Sequence, residues 1–377
     1  MTQPPTWGAP PPQQPGGWPG QPGPGGQWGP QQPWPAPVPP KKGGAAKWAI
    51  GAVSLVAVIA VTAVVAVSCT KNSGDSNGGG GGTKTSAAPS DVASANDTGP
   101  VGIITEDPSC APWGPIQSTL AGAERNGWGQ RDQSLPASAW APEVRAQYEA
   151  VGKAMRNAAD QTVPLAKMTT HRVMRELYGQ FIAYARAYAD SISNLSTYQP
   201  IDDNLAQATA AATNVVGYIC SSISSGSAAA RASLIPAPKA PKSVAPVGDL
   251  SNPPKIFEAP DAVCKDLGPT LNGLLQNIDF KNWANTDPNI PVSNWSPEQQ
   301  SLTTMVTAVM SSTADSLEKL AQQSSNPMVQ DLILLGVQYR RTYIAALPTY
   351  QPSDSSIYLA GQTAPGLVLA ACDAVSR

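Results

Sequence analysis

Residues 126–143 read NGWGQRDQSLPASAWAPE, and residues 281–298 read KNWANTDPNIPVSNWSPE. Trp128, Asp132, Pro136, Ser138, Trp140, Pro142 and Glu143 of the first stretch recur as Trp283, Asp287, Pro291, Ser293, Trp295, Pro297 and Glu298 of the second, always 155 residues on. Met155, Asp160 and Leu165 recur at the same offset as Met310, Asp315 and Leu320, and Tyr184-Ala-Arg186-Ala-Tyr188 recurs as Tyr339-Arg-Arg341-Thr-Tyr343. The offset then falls to 152, where Thr197-Tyr198-Gln199-Pro200 matches Thr349-Tyr350-Gln351-Pro352. So many ordered matches mark a tandem duplication with a three-residue deletion in the second copy.

Each copy reads as helical. Pro115 to Glu124 and Pro269 to Asn277 are short helices, since proline suits a first helical turn. The Trp-to-Trp connector follows. A second helix opens at Trp-x-Pro-Glu, with proline near its first position and a glutamate where the helix dipole favours negative charge. It runs to about Lys167, and its copy runs from Pro297 to about Gln323. In a third helix, from about Thr170 to Leu195, Leu177, Phe181, Tyr184 and Tyr188 share one face at spacings of 4, 3 and 4. Asp202 or Asp354 starts the fourth. No stretch alternates with period two. The expected fold is all-α, with two tandem four-helix bundles of up-down-up-down topology.

That topology puts the start of helix one and the end of helix four at the same end. Cys110 and Cys264 precede the first helices, and Cys220 and Cys372 lie near the ends of the fourth. Of the three pairings that four cysteines allow, the duplication selects Cys110–Cys220 and Cys264–Cys372. Lasting disulfides imply an oxidising compartment.

Outside the copies, composition changes sharply. Residues 1–46 are built of Pro, Gly, Gln and Trp, and the first forty carry no charge; with few backbone donors and no hydrophobic period, they are expected to be disordered. Ala49 to Ser68 is a twenty-residue run without a charge, and at 1.5 Å per residue it would span about 30 Å, the hydrocarbon thickness of a bilayer. Residues 47–69 are therefore expected to form a transmembrane helix. Lys41, Lys42 and Lys47 precede it and only Lys71 follows closely, which puts the N-terminus in the cytoplasm and the duplicated part outside. Ala66-Val67-Ser68-Cys69 also has the look of a lipobox, so lipidation of Cys69 after cleavage is the alternative mode of attachment. Residues 70–107 read as a Gly/Ser tether and 225–260 as a Pro-rich linker, leaving 108–224 and 261–377 as the two repeats.

The chain has 377 residues, a net charge of −2 and a single histidine, His171. The charge balance argues against nucleic acid as a partner. One histidine leaves no multi-histidine metal site, and no phosphate loop, nucleophile elbow or cofactor motif is present. The duplicated acids Asp132/Asp287, Glu143/Glu298 and Asp160/Asp315, with Arg186/Arg341, read as caps and inter-helix ion pairs or, less economically, as a general acid–base pair. Trp128, Asp132 and Trp140, with Trp283, Asp287 and Trp295, are the candidate binding residues: each Trp pair either plugs the end of a bundle or lines a cleft for a sugar, peptide or lipid.

The plan of residues 1–110, with stretches such as PPPQQPGGWPGQPGPGG at 10–26, resembles that of uncharacterised single-pass envelope proteins of actinobacteria, including mycobacteria. Such proteins carry a Pro/Gly-rich cytoplasmic tail, one span, a Gly/Ser tether and an exported cysteine-bearing domain. The duplicated unit matches no characterised family by its motifs. The expected function is a non-catalytic, membrane-anchored scaffold or interaction protein of a cell envelope, needing no cofactor, with an envelope protein as partner and a cytoplasmic partner for the tail. A small-ligand or lipid carrier is the alternative, and a carboxylate-dependent envelope hydrolase stands behind both.

Overall fold

Proline and asparagine set where the long helices begin. Pro142 and Pro297 occupy the first turns of α2 (Pro142–Met168) and α8 (Pro297–Gln323), where a missing N–H costs nothing. Asn326 opens α9 (Pro327–Ala346): its side chain accepts from the N–H groups of Met328 and Val329 at 3.0 and 3.4 Å. The Tyr-Gln-Pro turns close identically in both copies. Gln199 donates its N–H to Asp202 and Gln351 donates to Asp354, each at 2.8 Å, and the chain then enters α4 (Asp203–Ser224) and α10 (Ser355–Val375).

A computed structural model describes residues 91–376, and among them every regular element is a helix. The remaining helices are α1 (Cys110–Glu124), α3 (Arg172–Ser193), α5 (Ser227–Arg231), α6 (Val263–Gln276) and α7 (Ile278–Ala284). In the first copy α1 packs on α2 and α4, and α3 packs on both α2 and α4; in the second, α8 packs on α6 and α9, and α9 on α10. The expected tail, the expected span at 47–69 and Cys69 lie outside the described residues. Among the described residues no helix is long and apolar enough to cross a membrane.

Disulfides join Cys110 to Cys220 and Cys264 to Cys372, so each copy is closed head to tail. Duplicated ion pairs brace neighbouring helices: Arg186 of α3 meets Asp160 of α2 at 2.6 Å, and Arg341 of α9 meets Asp315 of α8 at 2.7 Å.

The short first helices begin at Cys110 and Val263, several residues before the prolines expected to open them, so that Pro115 and Pro269 lie inside the helices, because a proline costs little wherever its missing N–H falls near a helix start. Two larger expectations also need correction. First, the copies are not separate bundles on a hinge, because α4 lies along α10 and α3 touches α9. The α4–α10 pair is antiparallel, since Asn204 at the start of α4 donates to the Asp373 carbonyl near the end of α10. Second, the outer part of the tether and much of the linker are packed. Val92, Val101 and Ile104 are buried, and the Ile104 N–H reaches the Tyr339 hydroxyl in the second copy at 3.2 Å. In the linker Leu250, Ile256 and Phe257 are buried. Pro-rich backbone offers few donors, and Gln180 of α3 answers this by donating to the Pro254 carbonyl and accepting from the Ile256 N–H at 3.1 and 2.7 Å. Scattered apolar residues in a proline-rich stretch give no period to read, yet Leu250, Ile256 and Phe257 find places against the helices.

The crossing of α9 and α10 depends on glycine. A Cβ on Gly361 would stand 2.8 Å from the Arg340 backbone nitrogen, so only glycine allows this approach.

The disulfides span 110 and 108 residues. Loops of that size contribute about 4–5 kcal/mol each in the chain-entropy model. Replacing Cys110 and Cys220 by serine is expected to lower the chemical-denaturation midpoint markedly while leaving the helical circular-dichroism signal in place.

Candidate functional site

In the first connector, Trp128 and Trp140 are both buried. The Trp128 indole donates to the Tyr188 hydroxyl at 3.2 Å, and the Arg131 guanidinium lies over the Trp128 ring, 3.3 Å from its centroid. Arg131 then grips both oxygens of Asp203, the first residue of α4, at 3.0 and 2.6 Å. Burial raises the Asp203 carboxyl despite the neighbouring Arg131 charge. Trp140 stacks on Tyr148 with centroids 3.7 Å apart and donates to the Leu135 carbonyl at 3.1 Å. These contacts close the connector onto the bundle.

The second connector keeps the frame and changes the chemistry. Trp295 donates to the Ile290 carbonyl at 2.9 Å, repeating the Trp140 bond at the equivalent place. Trp283 packs on Tyr343 and Tyr358. Thr286 and Ser355, however, stand where the first copy has Arg131 and Asp203, so this ion pair has no counterpart. Trp283 and Trp295 are only half-buried.

The candidate acids serve as local fasteners. Asp132 is exposed and accepts from the Ser134 N–H and hydroxyl, which lower its carboxyl below the usual range. Asp287 accepts from the backbone and side-chain amides of Asn289 at 2.8 and 2.9 Å. Glu143 and Glu298 occupy first turns of α2 and α8. His171 precedes α3, with Nε2 3.0 Å from the Glu106 carbonyl. Among the described residues, no group of three or more His, Cys, Asp or Glu side chains could hold a metal ion.

The densest charge cluster lies elsewhere, where α3 meets α9. Arg172 is buried and bonds both oxygens of Asp331 in the other copy, at 2.7 and 3.2 Å. It also donates to the carbonyls of Asp97 and Gly99, at 2.8 and 3.2 Å. Glu176 stands one helical turn from Arg172, its Oε1 4.0 Å from the guanidinium. Arg175 donates to the Ser94 carbonyl and hydroxyl at 2.7 and 2.8 Å. Burial first, and the Asp331 charge second, push the Glu176 carboxyl well above the ordinary glutamate range, against the pull of Arg172 and Arg175. Burial also raises the Asp331 carboxyl, opposed by the hydrogen bond and charge of Arg172. The sequence held a clue: Glu176 and Asp331 are the same position of the two copies, 155 residues apart. Both lie on the apolar helix of their copy, where an acid is least expected.

A carboxyl raised by folding stabilises most fully below its unfolded value, and that contribution is lost as pH rises toward the folded value. Glu176→Gln is therefore expected to flatten a decline in stability of up to about 1.4 kcal/mol per pH unit above about pH 4.3, read from denaturant melts at several pH values. Arg172→Met leaves the buried Asp331 charge uncompensated and is expected to cost about 3–5 kcal/mol at pH 7, measured by the same melts.

Comparison with known proteins places this arrangement. An uncharacterized protein of Mycolicibacterium smegmatis (strain MKD8) is 47% identical over 332 residues, covering 88% of this chain and 86% of its own length. No solved structure matches. A family model described as mycobacterial ESX-1 associated protein matches residues 92–376, the whole duplicated region together with the packed segment before it. The motifs alone had pointed to no family for this region, but the match over nearly all of it shows that the chain belongs to the mycobacterial ESX-1 associated protein family.

Proposed function

We propose that this protein is a non-catalytic scaffold of the mycobacterial envelope, associated with the ESX-1 secretion system. One observation carries the reading: the two copies are locked into a single body by buried charge, and the polar groups they share brace that body. Arg172 grips Asp331 across the junction, and Arg231 of α5 grips both oxygens of Asp354 at 3.1 and 2.9 Å. The duplicated acids go to turns and helix braces. A rigid double unit suits holding partners at fixed spacing.

In this reading residues 47–69 cross the membrane once, with residues 1–46 in the cytoplasm and the double unit outside. The partner outside is a component of the secretion system, and the Pro/Gly-rich tail recruits a second, cytoplasmic partner. The carrier alternative would place a ligand between helices or beneath a connector. The half-buried Trp283 and Trp295 favour the second copy for it, because the first connector is closed by Arg131 and Asp203.

In vivo crosslinking of the full chain in its own host, followed by mass spectrometry, is expected to recover an ESX-1 component through the double unit. Deleting residues 1–46 should leave that crosslink intact. Recovery of no secretion-system component across several crosslinker lengths would sink the scaffold reading. Bound lipid or metabolite in native mass spectra would favour the carrier instead.

A further inference from the structure

Three arginines paired with aspartates follow one pattern. Arg131, Arg172 and Arg231 each use Nε and Nη2 to bond the two oxygens of one aspartate, respectively Asp203, Asp331 and Asp354. This two-point fork is the geometry by which guanidinium recognises oxyanions.

Arg340 of α9 breaks the pattern. It is 1% exposed, and among the described residues no carboxylate pairs with it. Only Nη2 is engaged, with the Gln362 side-chain oxygen at 2.8 Å and the Gly361 carbonyl at 3.5 Å. Pro365 explains the second contact. It lies inside α10 four residues beyond Gly361 and has no N–H, so that carbonyl lacks its helical donor. Nε and Nη1 have no partner among the described residues. Burial lowers the guanidinium only to about 10, so it stays charged at neutral pH. An uncompensated buried charge is among the costliest features a fold can carry.

The duplication supplies a control. The positions of Arg340, Tyr358, Gly361 and Gln362 are held in the first copy by Ala185, Ala206, Thr209 and Ala210. There the same crossing is closed by small side chains, with Ala185, Ala206 and Thr209 buried. The frame thus needs no cation at this place. In the second copy Tyr358, Gln362 and Trp283 are half-buried, and Trp283 packs on Tyr358 with centroids 5.2 Å apart.

We infer that Arg340 is the anchor of an oxyanion site between α9 and α10, taking a carboxylate or phosphate group. The incoming oxygens replace Gln362 on Nη2 and engage the free Nε beside it, the same fork as in the three aspartate pairs. Gln362 swings outward, which its partial exposure permits, and Tyr358 borders the entry.

The test titrates the full-length protein with sodium phosphate and, separately, sodium acetate, against sodium chloride at matched ionic strength, by thermal unfolding and calorimetry. At least one oxyanion is expected to raise the melting temperature beyond chloride, and which one does so identifies the source. Arg340→Met should abolish the specific shift, and Arg340→Lys should weaken binding about tenfold by losing the fork. Gln362→Leu removes the competing acceptor and should tighten binding several-fold, which keeps the test decisive if Arg340→Met does not fold. Equal shifts in all anions, shifts that survive Arg340→Met, or affinity unchanged in Gln362→Leu would each overturn the site.

Discussion

Arg172 carries its charge into a place where only 2% of its side chain meets solvent, and Asp331 meets it there from the other copy with 1% exposed. Such a pair adds little net stability over an apolar contact, because desolvating both ions offsets most of their attraction. What it supplies is specificity of arrangement. Slide α3 against α9 by a turn and the guanidinium and the carboxylate part, each left buried and unmatched. The same Arg172 also holds the carbonyls of Asp97 and Gly99, so the segment ahead of the first copy is tied to the junction. The packing of α4 along α10, the strap at 91–107 and the docking of α5 on Asp354 all assume this register.

Around that junction the two copies have diverged in a consistent direction. Both keep the Trp-to-backbone bond, the glutamine–aspartate turn and the Arg–Asp brace, which are the parts that make the unit fold. The first copy adds an ion pair beneath its connector and an arginine-over-indole contact. The second drops that pair and places Arg340 at its helix crossing. Duplication allows this: once each copy's core is secured by its own disulfide and brace, polar positions can change separately.

Much of the architecture was legible in the residues. The offset of 155 revealed the duplication, the Pro-Glu and Tyr-Gln-Pro signals placed helix starts, and the cysteine positions led to the pairing that the structure contains. Composition misled at the edges. The segments at 91–107 and 245–257 have tether-like residues, but Ile104, Ile256 and Phe257 are buried and Gln180 supplies the donor and acceptor that the linker backbone requires. The candidate tryptophans were visible as a repeated pair, but their settings were not: Trp128 and Trp140 are buried, Trp295 is half-buried, and Trp283, also half-buried, lies on α7, where a connector was expected. The Glu176–Asp331 correspondence is present in the repeat, but an acid on an apolar helix gains meaning only when its neighbour is known.

By itself, the sequence determined helical class, duplication, the limits of the long helices and the covalent staples. These follow from local signals and from spacing, which chain neighbours decide. Only the tertiary structure decided that the copies form one body, which acids burial raises and which arginine lacks a counter-charge. Those depend on burial and on partners more than a hundred residues away in the chain, such as Arg172 and Asp331 at a separation of 159. The energy of a charge is set by the medium around it and by the nearest opposite charge, and a linear chain records neither.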